Sequence, residues 1–108
     1  MNEEQLRIFA YLSASALGFA NRRTSSDIRD NCQLDSGGVT NEHVRDLIRD
    51  MILNHNCCIG SLMWQNGYWI IQNEEELNRV CESLENRANS IQERAEALRR
   101  NFLNRNNG

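Results

Sequence analysis

Apolar residues recur along this chain with two different periods, and the switch between them marks its organisation. Val44, Leu47, Ile48, Met51 and Ile52 are separated by steps of one, three and four, which places them on one stripe of a helix. Thr40 stands where a first-turn cap is expected. Asn41, Glu42, Arg45, Asp46, Arg49 and Asp50 fill the other face. After Asn54-His55-Asn56 the period shortens. Residues 57–63 read as a strand, Asn66-Gly67 as a two-residue hairpin turn, and Tyr68-Trp69-Ile70-Ile71 as the returning strand. A turn at that position sets Trp64 opposite Trp69, a pair able to stack on one face of the ribbon.

The flanking segments extend this pattern. Residues 3–22 predict a first helix, and Leu6, Ile8, Phe9, Ala10, Tyr11, Leu12, Ala16, Leu17, Phe19 and Ala20 make it apolar nearly all round. Such a helix is buried on more than one side. Arg22-Arg23-Thr24-Ser25-Ser26 is a polar link in which Ser25 or Ser26 caps a short second helix, about residues 27–32, anchored by Ile28. Residues 33–40, with Leu34 and Gly37-Gly38, lead into the helix described above. Three helices and a hairpin in this order predict a winged helix-turn-helix domain over residues 1–72.

Beyond it, Asn73 caps a helix whose first turn holds Glu74, Glu75 and Glu76, where the helix dipole favours negative charge. Leu77, Cys81, Leu84, Ala88, Ile91, Ala95, Leu98 and Phe102 then alternate by four and three without a break. This is a heptad register, with d at Leu77, Leu84, Ile91 and Leu98 and a at the other four. A long helix over residues 73–104 follows, with 105–108 as a frayed tail. At 1.5 Å per residue the stripe spans roughly 39 Å, more than a domain of this size covers. The same eight residues are therefore expected to form a homodimer interface. The predicted class is mainly α with a small β-hairpin (α+β): a winged helix-turn-helix followed by a long C-terminal heptad helix.

Composition narrows the chemistry. With 40% hydrophobic and 25% charged residues, the chain of 108 can fold. No apolar run approaches the roughly 18–20 residues of a membrane span, and the acidic start is unlike a signal peptide. The expectation is a cytoplasmic protein without membrane contact. Cys32, Cys57, Cys58 and Cys81 show no Cys-x-x-Cys spacing and read as reduced, buried thiols. His43, His55, Cys57 and Cys58 are close in sequence, but adjacent cysteines on a strand point to opposite faces, so no metal site is expected. No phosphate loop, zinc-protease or nucleophile-elbow motif occurs. The reading is a non-enzyme with no cofactor.

All twelve cationic residues are arginine, for which a biased base composition in the gene is a sufficient account. The net charge of −3 means that any DNA contact comes from a local patch. In a winged helix the later helix of the pair enters the major groove, where arginine and asparagine read base edges. Asn41, Arg45 and Arg49 form one exposed stripe at spacings of four. Arg22, Arg23, Thr24, Ser25 and Ser26 stand ready to hold phosphates, with Gln65 and Asn66 at the wing tip. The competing reading is a protein-binding module, because Asp46 and Asp50 adjoin those arginines and repel phosphate. A third is an assembly factor acting through the heptad helix alone.

Val44-Arg45-Asp46-Leu47-Ile48-Arg49, Cys58-Ile59-Gly60-Ser61, Gly67-Tyr68-Trp69-Ile70, Glu74-Glu75-Glu76-Leu77 and residues 87–95 are similar to small winged-helix proteins encoded by bacteriophages and other mobile elements. The likeness covers about residues 24–102. The resemblance implies a DNA-associated phage protein and nothing finer. Taken with the arginine stripe and the heptad helix, the reading is a phage or mobile-element winged-helix protein that binds double-stranded DNA in the host cytoplasm, a transcriptional regulator or replication accessory, homodimeric through its last helix. Against that family the chain is longer at Leu62-Met63-Trp64-Gln65 and at Gly37-Gly38. The alternative is a small inhibitor or adaptor acting on a host or phage protein.

Overall fold

The computed structural model describes residues 1–34, 41–62 and 65–107, with side chains to residue 105. Four helices, α1 (Glu3–Ser15), α2 (Ser25–Asn31), α3 (Glu42–Asn54) and α4 (Glu74–Asn107), accompany one antiparallel hairpin, β1 (Ile59–Leu62) and β2 (Gln65–Ile70). The molecule is mainly helical, with a small two-stranded hairpin and a long C-terminal helix.

Helix α1 opens with a capping box. Asn2 Oδ1 accepts from Gln5 N, and Gln5 Oε1 accepts from Asn2 N. The helix ends seven residues before the expected boundary. Gly18 sits at φ +83°, a conformation only glycine adopts at little cost, and Phe19–Asn21 forms a single 3₁₀ turn. The segment leaving α1 instead satisfies the outer edge of β2. Ala16 O accepts from Ile70 N, Gly18 N donates to Ile70 O, and Arg23 and Tyr68 exchange both backbone bonds at 2.7 and 2.8 Å. Continuing the helix would have left that edge unpaired.

Thr24, rather than Ser25 or Ser26, caps α2: its hydroxyl accepts from Asp27 N while the Asp27 carboxylate accepts from Thr24 N. Ile28 is fully buried, as its position on α2 predicts. Gln33 at φ +54° closes the helix, with Leu34 N donating to Arg29 O. Gly37-Gly38 and the Thr40 cap lie outside the described residues. Asn41 occupies the cap position of α3 without a side-chain cap bond.

Val44, Leu47, Ile48 and Met51 of α3 close on Ile8, Leu12 and Ala16 of α1, Ile28 and Cys32 of α2, Leu34 and Ile59. Full burial of each large side chain is worth roughly 1.5–3 kcal/mol. Ile52, expected in the same stripe, is instead exposed. So are Leu6 and Phe9, so α1 is covered on one side only among the described residues.

The hairpin register differs from the expectation. Ile59 pairs with Ile70, Gly60 with Trp69, and Leu62 with Gln65, with an irregularity between Gly60 and Leu62. Asn66 and Gly67 therefore belong to β2, and Trp69 faces Gly60. Trp64 lies outside the described residues. Tyr68 and Ile70 pack on the helical core. Trp69, fully buried, points to the other side, where Phe19 meets it edge-on at 5.1 Å between ring centroids. A Cβ on Gly60 would lie 2.8 Å from the indole ring, so only glycine admits this packing.

Helix α4 crosses that second face of the hairpin. Asn73 Oδ1 accepts from Glu76 N, the predicted cap. The Glu76 carboxylate accepts from Phe19 N and Gln72 N, both at 2.8 Å, and these bonds hold its pKa below the ordinary value of 4.5. The covered residues in the first half of α4 are Glu76, Val80, Ser83 and Arg87, with Cys81 half-buried beside them. The heptad stripe is a different face, about a quarter turn around the helix. The helix continues to Asn107, so residues 105–107 are helical rather than frayed. Past Arg87 every described side chain except Ala95 and Ala97 is exposed.

Candidate nucleic-acid interface

Helix α3 presents Asn41, Arg45 and Arg49 to solvent because its apolar stripe is committed to the core. Neither Arg45 nor Arg49 takes part in an ion pair among the described residues. Asp50, expected to adjoin them and repel phosphate, is turned toward α1 and the end of α3. Its carboxylate accepts from Gln5 Nε2 at 2.8 Å and Asn54 Nδ2 at 2.6 Å, and meets His55 Nε2 at 3.2 Å. The Gln5 and Asn54 bonds pull the Asp50 pKa below its ordinary range. Gln5, nearly fully buried, also donates to Leu47 O at 3.2 Å, so it fixes α1 against α3. Asp46 remains exposed on the arginine side.

A groove of about 540 Å³ opens beside the first turn of α3. Ser25 of α2, Asn41 and Arg45 of α3, Ser61, Gln65, Asn66 and Tyr68 of the hairpin, and Arg87 of α4 line it. No Asp or Glu is among its described lining residues. Burial raises the Tyr68 pKa, while a hydrogen bond with Ser25 and the charge of Arg45 work in the opposite sense. Two guanidinium groups and several neutral donors facing one concavity suit an anionic partner. Nε of Arg87 is buried without a hydrogen-bond partner.

The other predicted contacts divide. Arg22 is half-buried, its guanidinium 4.4 Å from the Phe19 ring centroid. It donates to Asn66 O and Phe19 O, and its stem lies against Gly67. Arg22 thus braces the hairpin against the 3₁₀ turn. Arg23 Nη1 donates to Asn21 O at 2.9 Å. Thr24 is committed to its cap, Ser25 reaches the groove, and Ser26 is exposed without entering it. Gln65 and Asn66 reach the groove from the hairpin. Arg87 carries no sequence signal for this role, since it stands beside the heptad stripe of α4 rather than on it.

On α4 the predicted interface residues are largely uncovered. Leu84, Ile91, Leu98 and Phe102 are 52%, 58%, 64% and 56% exposed. Ala88 is exposed as well, Leu77 only just so at 38%, and Cys81 and Ala95 are half-buried. Leu103, outside the heptad seam, is exposed too.

The cysteines are free thiols: Cys32 is buried, Cys57 and Cys81 are half-buried, and Cys58 is exposed, against the expectation that all four are interior. Burial raises the thiol pKa of Cys32 and Cys57. His43 meets Glu4 and His55 meets Asp50, so the two histidines have separate partners. Among the described residues no three His, Cys, Asp or Glu side chains gather as a metal site. No described helix is long and apolar enough to cross a membrane. No protein-family model, curated protein or solved structure matches the chain.

Proposed function

We propose that this is a winged helix-turn-helix protein that binds double-stranded DNA with α3 and the hairpin and forms a homodimer through α4. The supporting order is α1, an edge segment pairing with β2, α2, α3 and then the hairpin, with α3 in the position of a recognition helix. The observation that carries the reading is the exposed pair Arg45 and Arg49, unpaired among the described residues, beside a groove whose described lining holds no acid. Asp50, turned into its bonds with Gln5 and Asn54, removes part of the electrostatic objection. The resemblance over residues 24–102 supports only a DNA-associated protein of a phage or mobile element; with the arginine stripe it makes the proposed role that of a transcriptional regulator or replication accessory in the host cytoplasm.

Fluorescence anisotropy on random-sequence and genomic duplexes at low and moderate salt tests this. Affinity should fall steeply with salt, with a log–log slope of about 0.9 for each phosphate contact. Affinity weaker than millimolar at low salt overturns the reading. The bare apolar stripe of α4 favours one alternative, a protein-binding inhibitor or adaptor. That reading leads if the stripe captures a different protein while no duplex binds.

A further inference from the structure

The exposed stripe of α4 differs from an ordinary surface patch in that its layers alternate in size. Its a positions between Leu84 and Phe102 are small, Ala88 and Ala95, whereas its d positions, Leu84, Ile91 and Leu98, are large. Two copies side by side in the same direction stack a on a and d on d. Alanine would then face alanine, leaving gaps, between layers in which leucine or isoleucine faces its own copy and forces the helices apart. Reversing one helix puts each a opposite a d. Every central layer then pairs a small side chain with a large one, and the separation stays even.

We propose that α4 pairs with a second copy of itself in antiparallel orientation, centred near Glu93. This proposal rests on the self-association of α4 put forward above. In this register Ala88 faces the partner's Leu98, Ala95 faces the partner's Ile91, and Leu84 faces the partner's Phe102. Charge selects the same alignment. Glu85 and Arg99, both exposed and both at e positions, form no ion pair within the chain among the described residues. Antiparallel pairing about residue 93 brings each Glu85 beside the partner's Arg99, twice by symmetry. Arg94 meets its own copy near the dyad, an exposed contact that water and salt screen. In a parallel pair Arg94 would face the partner's Arg99 twice, and Glu85 would face only the partner's Val80.

The fold leaves room for this partner. Residues 84–102 run beyond or beside the hairpin contact, and the stripe lies about a quarter turn from Val80, Ser83 and Arg87. Dimerisation therefore uses none of the side chains that hold α4 to the hairpin.

Sedimentation equilibrium of the full chain, wild type and charge variants, reads the orientation. Inverting both copies of the pair by Glu85→Arg or by Arg99→Glu should raise the dimer dissociation constant about tenfold. The combined Glu85→Arg/Arg99→Glu variant should recover most of the loss. Tightening by Arg99→Glu, with no effect of Glu85→Arg, indicates parallel helices and overturns the antiparallel assignment while leaving α4 dimerisation standing. A monomer at tens of micromolar, or an assembly of three or more copies, overturns the assignment together with the dimer. DNA binding is read separately by anisotropy. Far-ultraviolet circular dichroism of each variant verifies that the exposed substitutions leave the fold intact.

Discussion

The body of the molecule and the distal half of α4 carry equally regular apolar periodicity, yet only the body uses it internally. In α3 the stripe of Val44, Leu47, Ile48 and Met51 closes on α1, α2 and Ile59. In α4 the stripe from Leu84 to Phe102 remains more than half exposed at its large positions. The folding face of α4 is instead Glu76, Val80, Ser83 and Arg87, which includes a single large aliphatic residue. Periodicity thus reports that a helix has a face to cover, and is silent on which molecule covers it. The row of bare leucine, isoleucine and phenylalanine on α4 is the observation on which the proposed self-association rests.

The largest expected effect lies in the body. Trp69 is fully buried between Phe19, Gly60 and α4, so Trp69→Ala should cost about 3–5 kcal/mol in urea unfolding, as large aromatic truncations do. A loss below 1 kcal/mol would mean that the second face of the hairpin is not a core. On the other side of the comparison, Ile91→Asp should leave the unfolding of dilute monomer unchanged. It should weaken the dimer by about 1.5–3 kcal/mol per copy, the worth of one buried aliphatic side chain. A destabilised monomer would erase the contrast, because the stripe would then be covered within the chain.

Arg45 is the polar counterpart of the bare stripe, a group exposed at no evident benefit to the fold. Arg45→Ala should leave the melting temperature unaltered and cost about 1–3 kcal/mol at a preferred DNA site, relaxing the preference at one base pair. Unchanged affinity for the site would remove Arg45 from the interface. The smallest effect concerns the joint between the two regions. Donation from Phe19 N and then from Gln72 N depresses the Glu76 pKa in the folded chain. The unfolded chain therefore binds this proton more tightly. The stabilisation is complete above pH 4.5 and is lost as pH falls through the lower folded value. Melting curves from roughly pH 6 to roughly pH 2, which span the ordinary Glu range and the values below it, should show Glu76→Gln less acid-sensitive than wild type. Parallel pH profiles would refute a role for the carboxylate in holding the joint.

Much of this architecture is legible in local sequence. The core side of α3, the burial of Ile28, the Asn73 cap and the length of α4 follow from spacing and capping chemistry that act within one or two turns. The exposed stripe of Asn41, Arg45 and Arg49 follows equally, since burying one face of a helix fixes the opposite one. The candidate groove is less legible. Arg45 is on its predicted face, but Arg87 joins it from forty-two positions further along the chain. No local signal links the two.

By itself, then, the sequence determined which segments are helical, where the hairpin occurs and which faces are apolar. Only the tertiary structure decided the end of α1, the strand register and the facing of α4. Residues 16–23 leave the helix because β2 needs an edge partner that intrahelical bonds do not supply. Asn66-Gly67 enters a strand because Gly60, opposite Trp69, makes room for an indole that a side chain there would displace. Helix α4 turns Val80 rather than its leucines to the hairpin because Glu76 is anchored at Phe19 and Gln72, which sets the rotation of the helix. Each decision comes from contacts between residues distant in sequence, whose energies no local pattern contains.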